Sequence, residues 1–221
     1  MVAEKILILA NGEWSAPDRL RALLEDADFV IAADGGWAKA VEHGVRVDEV
    51  VGDLDSMAEA DREALLAAAT PVVHAYSREK DATDLDLAID HALRRKPAQI
   101  TLYGALGARI DHAIANLHLL EKGIAARVPI LLANRRETAR YVADVIELAN
   151  ARPGDRVSLI PISEEATAST EGLRYPLDGE RLLRAASRGV SNVVVSIPAR
   201  VRVGRGILLV IHEALEEPVD G

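Results

Sequence analysis

The chain has 221 residues, of which 49% are apolar and 28% are charged, so its composition is that of a soluble globular protein and excludes disorder as its main state. Aromatic residues make up only 3%, which leaves few rings for stacking on single-stranded nucleic acid, and the net charge of -9 disfavours binding of polyanions through bulk positive charge. The absence of cysteine excludes disulfides, thiolate zinc sites and cysteine nucleophiles.

Short β-branched runs alternate with longer amphipathic stretches from residue 5 to about residue 134, a pattern typical of a parallel sheet with crossover helices. The predicted strands are 6–10, 29–33, 49–51, 71–74, 99–103 and 129–133. The predicted helices between them are 18–26, 37–43, 59–69, 83–95 and 111–122. In the fourth helix, apolar residues recur at the spacing that produces one apolar face, so we expect this helix to pack on the sheet.

The pattern changes after about residue 135, where strand-like runs are separated by turn signals and only one helical segment is expected. The runs are 139–148, 156–162, 168–177, 193–203 and 207–211. Arginines at 181, 184 and 188 recur at near-helical spacing. We therefore predict two domains: an α/β domain at 1–135, with a mostly parallel sheet flanked by helices, and an all-β sandwich domain at 136–221.

No apolar stretch approaches the roughly 20 residues of a membrane span, and the first strand-like run is too short for a secretory signal. We therefore expect a cytoplasmic protein without a membrane partner. The acidity is concentrated in the first domain, because residues 1–135 hold 22 acidic and 15 basic residues, against 13 and 11 in the rest of the chain.

Aspartates follow four successive predicted strands of the first domain. They are Asp34 after the second strand, Asp53 and Asp55 after the third, Asp81 and Asp84 after the fourth, and Asp111 after the fifth. Because the carboxyl ends of parallel strands share one edge of the sheet, where ligands bind, we expect these carboxylates to meet in one crevice. Each aspartate alone is also typical of a turn or a helix cap, and Asp86 is assigned to the first turn of the fourth helix.

Crowded carboxylates repel one another, and a bound cation relieves this repulsion. A crevice with oxygen ligands and no convergent His or Cys favours Mg²⁺ over Zn²⁺. Because protein-bound Mg²⁺ usually completes its shell with substrate phosphates, the nearby positive charges of Lys80 and Arg109 fit a phosphate-handling site.

Several common catalytic motifs are absent. The chain has no Walker-type phosphate loop, no G-x-G-x-x-G after the first strand, no H-E-x-x-H and no G-x-S-x-G. P-loop kinases, Rossmann dehydrogenases, zinc proteases and α/β-hydrolases are therefore poor fits.

Six segments, in order along nearly the whole chain, resemble the motifs of the thiamine pyrophosphokinase family, bacterial type. They are ADGG at 33–36, GDLDS at 52–56, KDATDLDLA at 80–88, RIDH at 109–112 followed by Asn116, EGLRYPL at 171–177 and RGVSN at 188–192. The resemblance implies an ATP-binding α/β domain, a β-sandwich that binds thiamine, and a homodimer with active sites between subunits. The implied reaction moves a diphosphate group from ATP to the hydroxyl of thiamine and leaves AMP.

The resemblance also assigns roles by position. The catalytic and metal-binding residues would be Asp53, Asp55, Asp84 and Asp111. The nucleotide and phosphate would contact Asp34, Gly35, Lys80, Asp81, Thr83, Arg109, His112 and Asn116. Thiamine would contact Ser191 and Asn192. Because the chain offers so few rings, Tyr175 or a tryptophan would supply any stacking surface for it.

Our main hypothesis is therefore a Mg²⁺-dependent thiamine diphosphokinase that uses ATP as co-substrate and binds no nucleic acid. Either Asp84 or Asp111 would accept the proton of the alcohol, and the sequence does not choose between them. Two alternatives stay open: the same transfer onto a pterin alcohol, and a nucleotide-binding regulatory module without catalysis. The segments at 172–175 and 190–192 favour thiamine.

Overall fold

A computed structural model describes residues 3–14, 16–55, 59–67, 70–77, 81–107 and 109–215. The chain divides into two compact units, residues 1–135 and residues 136–221. The division falls where the sequence pattern changes from alternating strands and helices to strands alone.

The strands of the first unit are β1 (Lys5–Leu9), β2 (Phe29–Ala33), β3 (Glu49–Gly52), β4 (Val72–Ala75), β5 (Gln99–Tyr103) and β6 (Ile130–Ala133). All of them pair in parallel, in the order β6-β5-β1-β2-β3-β4. The chain runs outward from β1 to β4 and then returns to the other side of β1 to form β5 and β6. The strand order therefore reverses between β1 and β5, and such a switch point opens a crevice at the carboxyl ends of the strands.

The helices of the first unit are α1 (Pro17–Asp26), α2 (Gly36–Glu42), α3 (Glu59–Ala67), α4 (Asp84–Arg94), α5 (Ile110–His118) and α6 (Glu121–Ala126). The single helix predicted at 111–122 was wrong, because this stretch forms α5 and the start of α6. Between them, the N–H groups of Leu120, Lys122 and Gly123 each donate to the carbonyl three residues earlier, which tightens the chain and ends the regular α-helix.

The core of the first unit is aliphatic and lies on both faces of the sheet. Alternate residues of β1 face opposite sides, yet Ile6, Leu7, Ile8 and Leu9 are all buried. Helix α4 covers one face with the predicted apolar stripe, whose members Leu85, Ala88, Ile89 and Ala92 are buried. Burial on both faces is what a parallel sheet with crossover helices requires, so the α/β class predicted for this unit is confirmed.

The strands of the second unit are β7 (Glu137–Val142), β8 (Val145–Glu147), β9 (Arg156–Pro161), β10 (Glu165–Glu171), β11 (Glu180–Leu183), β12 (Asn192–Val193), β13 (Arg200–Arg205) and β14 (Leu208–Glu213). They pair antiparallel in the orders β12-β9-β14-β7 and β11-β10-β13-β8. One aliphatic cluster joins strands of both groups and includes Val157, Leu159, Val201 and Val210. The all-β class predicted for this unit is confirmed.

Two details of the second unit differ from the sequence prediction. The run at 139–148 is not one strand, since it forms β7 and β8 with a bend between them. The one expected helical segment is absent from the described residues of this unit. The arginine-rich stretch begins in β11, where Leu182 is buried and its neighbours are not, and continues into turns that carry Arg184 and Arg188. Pairing with β10 favours the strand over a helix, and the ion pair between Arg181 and Glu165 of β10 is part of this pairing.

Among the helices of the described residues, none combines the length and the apolar character needed to cross a membrane.

Candidate active site

A pocket of about 380 Å³ lies at the switch point of the parallel sheet. Its lining comes from the carboxyl ends of three strands and from the beginning of α4. The residues are 10–12 after β1, 33–35 after β2, 83–85 at the start of α4, and 104–107, 109, 112 and 116 after β5. This is the edge at which the sequence placed the predicted ligand site.

The loops that follow β1 and β5 are tied together by close backbone contact. The N–H of Gly12 donates to the carbonyl of Gly104 at 2.6 Å, and the N–H of Glu13 donates to that of Leu106 at 2.7 Å. A Cβ on Gly12 would lie 2.2 Å from both acceptor oxygens, so no other residue fits there without moving the loops. These main-chain contacts therefore fix the two loops relative to each other where they line the pocket.

Helix α4 begins at the pocket. The hydroxyl of Thr83 accepts a hydrogen bond from the N–H of Asp86 at 3.3 Å and caps the helix. Thr83 and Asp84 both line the pocket, so the positive end of the helix dipole faces it. Asp86, in contrast, does not line the pocket. Its side chain pairs with Lys122, as expected for a structural residue.

Three carboxylates meet beside the pocket. Asp34, Asp53 and Asp55 each offer an oxygen, and these oxygens lie within 4.8 Å of one another. Asp34 is buried and has a φ of 41°, a left-handed conformation that aspartate tolerates better than most residues. Like charges at this separation repel, and such a group is the kind of site that a cation occupies.

Glycine at position 52 allows a fourth carboxylate to approach. A Cβ at Gly52 would lie 2.8 Å from the Cβ of Asp34 and 3.1 Å from Oδ1 of Asp84. Because Gly52 has no side chain, Asp34 after β2 and Asp84 of α4 can both approach the end of β3. We define Asp34, Asp53, Asp55 and Asp84 as the carboxylate group.

Asp111, which the sequence assigned to the same metal site, does not belong to the carboxylate group. It pairs with Arg109 instead. Its carboxylate accepts two hydrogen bonds from the Arg109 guanidinium, at 2.6 Å from Nη2 and 3.2 Å from Nε. This pairing, together with the N–H of His112, lowers the pKa of Asp111 to about 2. Asp111 therefore holds Arg109 at the pocket and is a weak proton acceptor.

The remaining nucleotide-pocket predictions fall into three groups. Gly35, Arg109, His112 and Asn116 line the pocket, and the buried Asn116 donates from Nδ2 to the carbonyl of Ala105 at 2.7 Å, which fixes the loop after β5. Asp81 is exposed and is not among the lining residues. Lys80 lies outside the described residues.

The sequence reasoning missed the contribution of the segment after β1. Asn11 and Gly12 line the pocket, and Lys39 of α2 donates to the carbonyl of Gly12. A signal was available, because these residues directly follow a predicted strand and so lie at the same carboxyl edge as the aspartates.

The predicted thiamine residues lie together in the second unit. Asn192 is buried, and its Oδ1 accepts from the N–H of Tyr175 at 3.0 Å and from that of Val193 at 2.9 Å, while Nδ2 donates to the carbonyl of Tyr175 at 2.7 Å. These bonds use the amide to hold the segment that carries Tyr175, whose side chain is 65% exposed. Ser191 is exposed beside it, with a φ of 60°.

Two family models match this chain. The model of the thiamin pyrophosphokinase catalytic domain matches residues 20–132, and the model of the thiamin pyrophosphokinase vitamin B1 binding domain matches residues 145–208. The first match contains the carboxylate group and all of the pocket lining except residues 10–12. The second contains Tyr175, Ser191 and Asn192.

Curated relatives carry the same family name. A thiamine pyrophosphokinase of Bacillus subtilis (strain 168) is 31% identical over 212 residues, which cover 94% of this chain and 97% of the relative. Thiamine pyrophosphokinase 1 of Arabidopsis thaliana is 28% identical over 207 residues, which cover 81% of this chain and 76% of the relative.

Solved structures agree with these matches. The crystal structure of the thiamine pyrophosphokinase from Bacillus subtilis superposes with a TM-score of 0.85 at 28% identity and covers 96% of this chain and 99% of its own. The thiamin pyrophosphokinase from Candida albicans, at 14% identity, supports the fold alone, with a TM-score of 0.81 over 96% of this chain and 90% of its own. The resemblance seen in the sequence motifs is confirmed, and the chain belongs to the thiamine pyrophosphokinase family.

Proposed function

We propose that this chain is an ATP-dependent thiamine diphosphokinase. The observation that carries the proposal is the pocket at the switch point, which combines a helix N-terminus, an arginine and a carboxylate group in a member of this family. The hydroxyl oxygen of thiamine forms a bond to the β-phosphorus of ATP, the bond from that phosphorus to the bridging oxygen of AMP breaks, and AMP leaves.

The pocket offers positive partners for the phosphates of ATP. The main-chain N–H groups at the start of α4 and the Arg109 guanidinium both lie in its lining. Transfer of a phosphoryl-type group depends mainly on positioning and on neutralising charge, so these two features meet the chief demand of the reaction. Asp111 keeps the guanidinium in place until phosphate oxygens compete for it.

The carboxylate group fits Mg²⁺. Asp34, Asp53 and Asp55 supply converging oxygen ligands, and among the described residues no His or Cys joins them. When bound there, Mg²⁺ would neutralise negative charge on the phosphate oxygens as the bond to AMP breaks. Asp34, which the sequence assigned to the nucleotide, belongs with the metal ligands in this proposal. Asp53 and Asp55 keep the ligand roles that the sequence assigned to them. Asp84, which the sequence also assigned to the metal, is proposed instead as the proton acceptor.

Asp84 is the better candidate for the group that takes the hydroxyl proton of thiamine. It lines the pocket at the beginning of α4, whereas the pKa of Asp111 is held near 2 by Arg109. A carboxylate with so low a pKa binds a proton weakly at neutral pH. Of the two candidates that the sequence left open, our proposal therefore uses Asp84.

The exposed apolar side chains of the second unit support a role in binding thiamine and a second subunit. Tyr175, Val190, Val195 and Ile197 are between 45% and 65% exposed. Exposed apolar residues are common at interfaces and ligand sites. We therefore propose a homodimer with active sites shared between its subunits. The cytoplasmic location stays a prediction from the sequence.

The direct test is product analysis. The protein is incubated with ATP, Mg²⁺ and thiamine, and AMP and thiamine diphosphate are quantified; we expect them in equal amounts. A pterin alcohol in place of thiamine should give no AMP above background, and AMP formed only with the pterin would favour that alternative. No AMP above a thiamine-free control would contradict the proposal and favour the regulatory module.

Variants of the carboxylate group test the roles of its members. Asp53→Asn and Asp84→Asn should each lower turnover by about a hundredfold or more, while the thermal midpoint stays nearly unchanged. Asp53→Asn removes a ligand charge from the proposed Mg²⁺ site, and Asp84→Asn removes the proposed proton acceptor. Asp90→Asn is the matched control, because Asp90 lies on α4 and pairs with Lys122 away from the pocket. Full activity in either test variant would contradict the role given to that residue.

A further inference from the structure

A second polar cluster lies on one face of the parallel sheet, apart from the pocket. It consists of Glu49 at the start of β3, His74 in β4 and His91 on α4, and we call it the histidine cluster. In the register of the sheet, Val51 pairs with His74, so Glu49 and His74 belong to the same face. His91 is seven residues after Asp84, which is about 10 Å farther along the helix axis.

The ligand atoms of the histidine cluster converge. One nitrogen from each imidazole and one oxygen of Glu49 lie within 4.8 Å of one another. Nε2 of His91 is 2.5 Å and Nε2 of His74 is 3.3 Å from the same oxygen, Oε2 of Glu49. In a tetrahedral site with metal–ligand distances near 2 Å, neighbouring ligand atoms are separated by about 3.3 Å. The cluster therefore needs only small side-chain adjustments to surround an ion.

The side chains of the histidine cluster are more buried than those of a typical surface ion pair. The side chains of Glu49 and His91 are each 13% exposed, and that of His74 is 34% exposed. Nε2 of His74 is itself buried, and within the described part of the chain its 3.3 Å contact with Oε2 of Glu49 lacks hydrogen-bond geometry. A buried imidazole nitrogen without a hydrogen bond is costly unless another partner is supplied.

The surroundings of the cluster leave room for such a partner. Arg95 approaches the other carboxylate oxygen of Glu49, Oε1, at 3.5 Å, so Oε2 faces the two imidazoles. Arg94 donates to Nδ1 of His91 at 2.9 Å and would have to turn away, because an imidazole that coordinates through Nε2 carries its proton on Nδ1. The partial exposure of His74 gives an ion, and a water as fourth ligand, a way in.

We propose that Glu49, His74 and His91 form a second metal site, selective for a borderline transition-metal ion such as Zn²⁺. Two imidazoles and one carboxylate are a common zinc ligand set, whereas the all-oxygen carboxylate group suits Mg²⁺. The ion would join the last turn of α4 to β3 and β4, at the end of the helix opposite Asp84. The site does not depend on the proposed function.

The test uses untagged protein with Co²⁺ as a spectroscopic substitute for Zn²⁺, in the presence of excess Mg²⁺. We expect one Co²⁺ per chain with the intense visible absorption of a four-coordinate ion, displaced by Zn²⁺. His74→Gln and His91→Gln should each abolish this absorption. His118→Gln is the matched control, since His118 is an exposed histidine of α5, and it should bind as the parent does.

Three results would overturn the proposal: no four-coordinate absorption in the parent protein, absorption that persists in both histidine variants, or absorption lost in Asp53→Asn, which would locate the ion at the carboxylate group. Arg94→Gln tests the proposal with a gain of binding, which misfolding could not produce. Removing this cation should tighten Co²⁺ binding about tenfold, and weaker binding would contradict the proposal.

Discussion

The two units of this chain contain different arrangements of acidic side chains near the ends and edges of their strands. In the second unit, acids meet arginines across neighbouring strands: Arg200 lies 2.8 Å from Glu147 and 3.2 Å from Glu171, and Arg205 lies 3.1 Å from Glu165. In the first unit, the carboxylates of Asp34, Asp53 and Asp55 converge on one another.

We interpret this difference as one between charge that supports the fold and charge that we propose binds a ligand. Cross-strand ion pairs balance the charge of the sheet surface and contribute little to its stability. A group of like charges costs stability, and it is retained where a bound cation and phosphates compensate for it. Substitutions in the first unit should therefore change catalysis most, and substitutions in the second unit should change stability or substrate affinity.

The largest effect is expected from Gly52→Ala. The added Cβ would lie 2.8 Å from the Cβ of Asp34 and would push the carboxylate group apart. A displacement of about 1 Å among catalytic groups can cost about a hundredfold in rate, and the overpacking should cost about 1–3 kcal/mol of unfolding free energy. Turnover assays and thermal unfolding measure the two effects. Turnover within twofold of the parent would show that the spacing of this group is not critical.

A smaller effect is expected from Asn192→Ala in the second unit. The variant leaves the N–H and carbonyl groups of Tyr175 without their amide partner, which should cost about 1–3 kcal/mol. Because Tyr175 is then less well held, the KM for thiamine should rise about tenfold while the KM for ATP stays constant. Asn192→Asp keeps the acceptor and should show an intermediate effect. Equal changes in both KM values would argue against a thiamine site at this segment.

A third prediction concerns the Arg109–Asp111 pair. Carboxyl-carbon NMR should give a pKa of about 2 for Asp111, and Arg109→Gln should return it toward 3.8. Since the pKa is lower in the folded protein, the stabilisation from this pair is complete above about pH 4 and is lost as the pH falls through 2. The pair therefore stays charged across the neutral range. A pKa near 4 in the parent would contradict the bidentate contact.

The smallest effect is expected from Arg200→Gln. Arg200 contacts two glutamates but its side chain is 46% exposed, so the thermal midpoint should fall by no more than about 3 °C. The difference from the parent should shrink in about 1 M salt, and activity should not change. A large loss that persists at high salt would mean that this pair is not a simple surface contact.

The strands of the first unit were predictable because parallel strands buried on both faces are nearly continuous apolar runs. Phe29–Ala33 and Gln99–Tyr103 have the predicted bounds. The second unit was harder, since its strands are partly exposed and carry polar residues at alternate positions. The stretch at Glu180–Leu183 took its conformation from pairing with β10, and this partner lies outside any local window.

The sequence alone determined the class of each unit and the acidic edge of the sheet, because apolar periodicity and strand-end aspartates are local features of the chain. Only the tertiary structure decided which acids converge, that Asp111 serves Arg109, and that Asn192 holds Tyr175. It alone also revealed the histidine cluster, whose members come from two strands and a helix. Such groupings depend on strand order and helix packing, and residue spacing along the chain does not encode either.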